Sequence, residues 1–370
     1  MLFHGRVVSS SSNTSTGTCR DDFLWPFATT SIWNTPLGAA AKFVPAHLFD
    51  ATSHTPAFGW LQVDVNFLIR TVSSDPLVPW YNQQMWGFPA TEERYCNVTG
   101  PLAAEIHFPS DVDIQHWANN NAAAILQPDN RTLVLTQPLY VCTPGAPVLS
   151  IYHLAPDADI RGEGAHGGQG GSNLSAMGGT IRRGELLPGS AAIMHALKIE
   201  LYGHDLYYRP PDGNHSQCYM WPATTCDSVA FECATSPTEC YNGTDPNIRP
   251  GALLAVPPSD VERVNASLTT EPARLLLAAL STFGAYIVDN TAWNATAICA
   301  ESGVEDEFEA AWGFAFKVPA PPYSTGAAAQ WYTDSLTLFR ALAVVVSNGP
   351  DTPGGGGKPL LPPPPPFCDY

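Results

Sequence analysis

Apolar positions recur along this chain in short bursts, separated by turn residues, rather than in long periodic stretches. Residues 122–127 and 132–136 are apolar-rich runs on either side of Pro128-Asp129-Asn130, which predicts a hairpin. Residues 193–202 alternate weakly and 251–256 form a short apolar run, so both predict strands. The clearest helical pattern spans residues 270–283. Thr270 suits the N-cap, Glu271 and Pro272 suit the first turn, and Leu275, Leu276, Leu280 and Phe283 build one apolar face. Gly284 stops that helix, and residues 285–288 predict a buried strand. A second helix is predicted from Asp334, with Leu336, Phe339, Leu342 and Val346 facing inward and Asn348-Gly349 ending it.

Elsewhere turns dominate, in keeping with 35 Pro and 30 Gly. The predicted fold is mainly β with a few packed helices (α+β), one disulfide-bonded domain with extended arms at both ends. Residues 1–18 are a Ser/Thr-rich N-terminal arm with a β-prone patch at 3–8. Residues 19–349 are the globular, glycosylated domain. Residues 350–370 are a Gly/Pro-rich C-terminal arm, with a hinge at 354–357 and a polyproline rod at 362–366.

Charge narrows the partners. A formal net charge of −17 excludes nucleic acid and anionic lipid as natural surfaces, because both need clustered Lys and Arg. No run of about 18 apolar residues is present, so no membrane-spanning helix is expected. The start of the chain also lacks a long apolar stretch of the signal-peptide kind; a removed signal or an incomplete start accounts for this.

Cysteine usage points to an oxidising compartment. None of the nine cysteines lies in a C-x-x-C pair, so a structural zinc or redox motif is not indicated. Cys96, Cys142, Cys218, Cys226, Cys233, Cys240 and Cys299 are assigned to disulfides of the body. Cys19 and Cys368, near the ends, either bridge to another chain or pair with each other and leave a core cysteine reduced. Eight Asn-x-Ser/Thr sequons, at Asn13, Asn97, Asn130, Asn173, Asn214, Asn242, Asn265 and Asn294, agree with secretion.

Candidate chemistry gathers around the glycine-dense block from His166 to Glu185, where backbone can approach a ligand closely. It is neither a P-loop nor a dinucleotide fingerprint. Glu185 and His195 are the candidate acid and base if the chain is an enzyme. His166, Trp221, Asp289 and Asn290 are candidate cleft or glycan-binding residues, the last two because polar residues at a strand end often line a site. Asp111 and Asp113, with His107 and His116, could hold Ca²⁺; otherwise no cofactor is expected. Ten tryptophans supply potential sugar-stacking surface.

Trp25-Pro-Phe, Trp33-Asn-Thr-Pro, the His166 to Glu185 block, His195-Ala-Leu-Lys, Trp221-Pro-Ala-Thr and Gly284-Ala-Tyr-Ile-Val-Asp-Asn resemble motifs of a family of secreted bacterial and fungal proteins associated with polysaccharide. The resemblance spans roughly residues 23–357. It implies a shared fold and a polysaccharide-directed role, and it assigns no catalytic residue. Two functions therefore compete, with a third beside them. The arms suggest an extracellular structural glycoprotein that self-associates into a filament or matrix. The resemblance suggests a secreted polysaccharide hydrolase or lyase. A non-catalytic glycan-binding module is the remaining alternative.

Overall fold

A computed structural model describes residues 19–50, 58–83, 96–98, 100–112, 114, 120–153, 158–291 and 293–368. The N-terminal arm with Asn13, and Asp113 and His116 of the suggested cation cluster, lie outside the described residues. The strands are β1 (Phe43–Pro45), β2 (Trp60–Arg70), β3 (Leu77–Asn82), β4 (Leu102–His107), β5 (Ala123–Leu126), β6 (Thr132–Gln137), β7 (Val148–Ser150), β8 (Tyr152–His153), β9 (Ala158–Asp159), β10 (Gly168–Gln169), β11 (Leu174–Ser175), β12 (Leu197–Leu201), β13 (Leu253–Ala255), β14 (Ala285–Asn290), β15 (Ala295–Glu301), β16 (Val318–Pro319) and β17 (Ala343–Val345). The helices are α1 (Gly203–Leu206), α2 (Val261–Ser267), α3 (Glu271–Thr282), α4 (Val304–Trp312) and α5 (Gly326–Arg340). The fold is thus mainly β with a few packed helices.

Twelve strands form one mixed sheet, ordered β1-β17-β13-β14-β12-β15-β2-β5-β6-β8, with β16 on β2 and β9 on β6. At its centre β12 runs parallel to β14 and antiparallel to β15, and β15 runs parallel to β2. These strands are buried on both faces; β14 and β15 read as short apolar runs, whereas β12 alternates apolar and charged residues. Leu197, Ile199 and Leu201 join the core shared with α3, α4 and α5. The opposite face packs against residues 23–37 and the glycine-dense block. A third core lies between the sheet β4-β3-β7 and the outer faces of β5 and β6.

Helix α3 forms where the pattern places it. Its N-terminus is capped from the neighbouring helix: both Asp334 carboxylate oxygens lie within hydrogen-bond reach of Thr269 N–H, and Oδ2 accepts Thr270 N–H at 2.6 Å. This corrects the second helix. Asp334 does not start it; α5 begins at Gly326 and ends at Arg340, and the apolar run beyond becomes β17. The stretch Ala327–Ala329 carries no amphipathic pattern, and its helicity accords with the high intrinsic helix preference of alanine.

The cysteines form four bridges: Cys19–Cys368, Cys96–Cys142, Cys218–Cys226 and Cys233–Cys240. Of the two alternatives for the terminal cysteines, the intrachain one holds: Cys19 and Cys368 pair with each other, not with another chain, and a core cysteine stays reduced. That cysteine is Cys299, whose assignment to a disulfide is corrected: it is a buried free thiol on β15.

The C-terminal segment is extended, but it is spent on its own chain. Ala39 donates to Lys358 O, Leu360 to Leu37 O, and Arg20 to Pro366 O. The Arg20 guanidinium also donates to Pro365 O at 2.7 Å and to Pro26 O at 3.1 Å, and it stacks 3.9 Å from the Phe367 ring. The polyproline run is therefore a strap over the body rather than a free rod.

Candidate active site

Two strands place alternating polar side chains on the sheet face that the glycine-dense block covers. On β12 these are Lys198 and Glu200; on β2 they are Asp64 and Asn66. Cys299 of β15 lies beside Asp64 in register. A register shift between Ile199 and Glu200 brings Glu200 opposite Asp289 at the end of β14.

Gln169, at the tip of β10, meets the four polar side chains of β12 and β2. Its Nε2 donates to Asp64 Oδ2 at 3.0 Å and Glu200 Oε1 at 3.3 Å. Its Oε1 accepts from Asn66 Nδ2 at 2.9 Å and Lys198 Nζ at 2.8 Å. Lys198 Nζ spends its other two protons on the carbonyls of Ser175 and Ala176. Gln169 is 1% exposed and Lys198 0%, so this network is closed to bulk water.

Asp64 and Glu200 also share a hydrogen bond, which requires one of the two carboxyls to be protonated. Burial raises both, and for Glu200 the neighbouring Asp64 and Asp289 charges raise it further. Burial also lowers Lys198 to about 8. One ammonium facing two carboxyls that keep one proton leaves the group neutral. Burial holds the Cys299 thiol protonated, with its Sγ 3.5 Å from Glu200 Oε1. Asp64, Glu200 and Cys299 could between them offer three ligand atoms to a metal. However, the carboxyls are turned to each other and to Gln169 N–H, whereas Ca²⁺ takes six to eight oxygens. A second possible trio, His215, Cys218 and Cys226, has its two sulfurs in a disulfide.

Asp289 stands at the edge of this network. Its Oδ1 accepts Gly171 N–H at 3.0 Å and Asn290 N–H at 2.9 Å, and its Oδ2 accepts Asn120 Nδ2–H at 2.8 Å. Asp227 approaches from the loop that the Cys218–Cys226 and Cys233–Cys240 bridges staple. Its carboxylate accepts the Tyr241 hydroxyl, and Tyr241 packs edge-on against Tyr207 at 5.1 Å. The Gly170-Gly171 dipeptide runs between the two acids. A Cβ on Gly170 would lie 1.9 Å from Asp289 Cγ, and one on Gly171 would lie 2.6 Å from Asp227 Cγ. Burial raises both carboxyls, and the Asp227 charge raises Asp289 further.

The residues singled out from sequence scatter. Glu185 and His195 do meet, with His195 Nε2 3.2 Å from Glu185 Oε2, and His195 borders a small pocket with Trp25, Trp33 and Arg182. Yet the other ring nitrogen, Nδ1, is tied to Ala196 O and Glu185 also accepts Arg182 N–H. The pair sits before the start of β12, at the opposite end from Asp289. His166 is within 2.9 Å of Pro222 O, and Trp221 packs against the core, so both fasten the 221–224 segment to the glycine-dense block. Asn290 accepts Gly203 N–H and donates to Glu239 O, a structural role. Asp289 alone of these reaches the acidic cluster.

Asp64, Asn66, Gln169, Lys198, Glu200, Asp227 and Asn120 were not singled out from sequence. Leu-Lys-Ile-Glu-Leu and Val-Asp-Val-Asn-Phe did carry a signal: polar residues at every second position of strands otherwise apolar enough for burial on both faces. Of the sequons, Asn97, Asn130, Asn214, Asn242, Asn265 and Asn294 are exposed. Asn173 is half-buried, with Nδ2 donated to Thr224 Oγ1 at 2.9 Å. No family model, curated protein or solved structure matches the chain.

Proposed function

We propose that this chain is an extracellular enzyme acting on polysaccharide, a hydrolase or lyase, with Asp227 and Asp289 as its acid–base pair. The observation that carries the reading is the placement of these two carboxyls on either side of Gly170-Gly171, each raised by burial and close enough for one charge to influence the other. Such a pair titrates as a unit and retains a proton at a pH where isolated carboxyls have lost theirs. It can then give a proton to a leaving oxygen while the ionised member takes one from water or from a sugar carbon. Asp227 is half-buried and so lies nearer solvent than the Lys198 network behind it.

Four disulfides and six exposed sequons support an oxidising, glycan-modifying route to the outside. The assembly reading loses one of its two arms, because the C-terminal strap is bonded to its own chain. The test is release of reducing ends, or of unsaturated products, from a panel of acidic and neutral wall polysaccharides. Asp227→Asn and Asp289→Asn should each lower the rate about 100-fold or more, while His195→Gln retains most of it. An inactive wild-type protein that polymerises in electron micrographs would return assembly to first place.

A further inference from the structure

We propose that Lys198 and Gln169 become joined, side chain to side chain, by an isopeptide bond that the folded chain forms by itself. The inference does not rest on the polysaccharide reading and uses other carboxyls. The parts of an acyl-transfer site are assembled around one amide. The nucleophile is Lys198 Nζ, 2.8 Å from Gln169 Oε1, the oxygen of the carbonyl that it attacks. Asn66 Nδ2 donates to the same oxygen at 2.9 Å, where negative charge develops on attack. The amide nitrogen that must leave faces Asp64 Oδ2 and Glu200 Oε1, which share a proton.

The step balances without any co-reactant. Neutral Nζ adds to Cδ of Gln169, and the C=O π pair moves onto Oε1. Nζ passes a proton to the ionised member of the Asp64–Glu200 pair, and the protonated member gives one to Nε2. The Oε1 pair re-forms the carbonyl, the Cδ–Nε2 bond breaks, and ammonia leaves with the bonding electrons. The carboxyl pair ends in the protonation state in which it began. Lys198 at about 8 leaves about one side chain in ten neutral at pH 7, enough to supply the nucleophile. Water, the competing nucleophile, is excluded: Lys198 and Asn66 are 0% exposed, and Gln169 is 1% exposed. Holding the reactants in contact removes the entropic cost of bringing them together. The product ties the glycine-dense block to the central strand β12.

Peptide mapping decides the matter. The full-length secreted protein is deglycosylated, reduced and digested with trypsin. The expected species is peptide 162–182 joined to peptide 184–263 (Arg209 and Arg249 each precede a proline and are not cut), lighter by one ammonia, with no cleavage after Lys198. Unlinked 162–182 together with 184–198 ending in a free lysine, from protein with a cooperative thermal transition, would overturn the proposal. Glu200→Gln should lower the linked fraction at least tenfold; an undiminished linkage in that variant would remove the acid role given to the carboxyl pair. If this variant does not accumulate, the wild-type map still decides.

Discussion

At the scale of single residues, the pair His195–Glu185 makes a pH statement. Burial opposes the imidazolium, but the Glu185 carboxylate and the bond to Ala196 O more than offset this, so the His195 pKa is raised above 6.5. A raised histidine contributes stability that is fully present below its unfolded value and is lost as pH rises through the folded value. Urea midpoints should therefore fall between pH 6 and pH 9 in the wild type. His195→Gln should flatten that slope and cost about 1–2 kcal/mol at pH 6; an unchanged slope would show that the pair is not the titrating group. From sequence, a Glu and a His near one another suggested chemistry, and geometry turned them into a clasp. The network around Gln169 is not legible in the sequence for a physical reason. Lys198 and Glu200 look like solvent-facing positions of an amphipathic strand, and only the coil laid over that face makes them buried.

Among elements, the glycine-dense block is the one on which the others depend. Its glycines are required by contact as well as by dihedral angle. Gly178 and Gly179 lie flat on the Trp33 indole, where a Cβ would come within 2.2 and 2.6 Å of ring atoms. Gly170 has φ +40° and abuts Asp289. Gly170→Ala should destabilise by about 2–4 kcal/mol, combining left-handed backbone cost with overpacking. Gly184 has φ +88° but open space around it, so Gly184→Ala should cost only about 1–2 kcal/mol. Urea denaturation of the two variants separates crowding from backbone preference, and equal losses would refute the contact argument. Elements with a local signal were legible: α3, the β5–β6 hairpin, and the strands β12, β13 and β14. The start of α5 was not, because Gly326-Ala-Ala-Ala carries no amphipathic pattern, although alanine favours helix by intrinsic preference, and the buried face begins only at Trp331.

Over the whole molecule, the two ends of the described chain are one structural unit. Cys19 and Cys368 are joined across a separation of 349 residues, and Arg20 binds carbonyls from both ends. In the chain-entropy account, a loop of that size is stabilised by about 5–6 kcal/mol as an upper figure. Cys368→Ser should lower the thermal midpoint clearly, and an unchanged midpoint would show that the strap holds without its bridge. The closure also decides how the molecule bears tension. A load applied across residues 19 and 368 runs through the sulfur bridge and bypasses everything between them. Stretched in an optical trap between residues 19 and 368, the oxidised protein does not lengthen, because the bridge carries the load. Once reduced, the enclosed residues lie in the line of force and can unravel to a contour of roughly 1,200 Å. Redox state would thus set whether the same chain behaves as an inextensible link or as a long compliant tether.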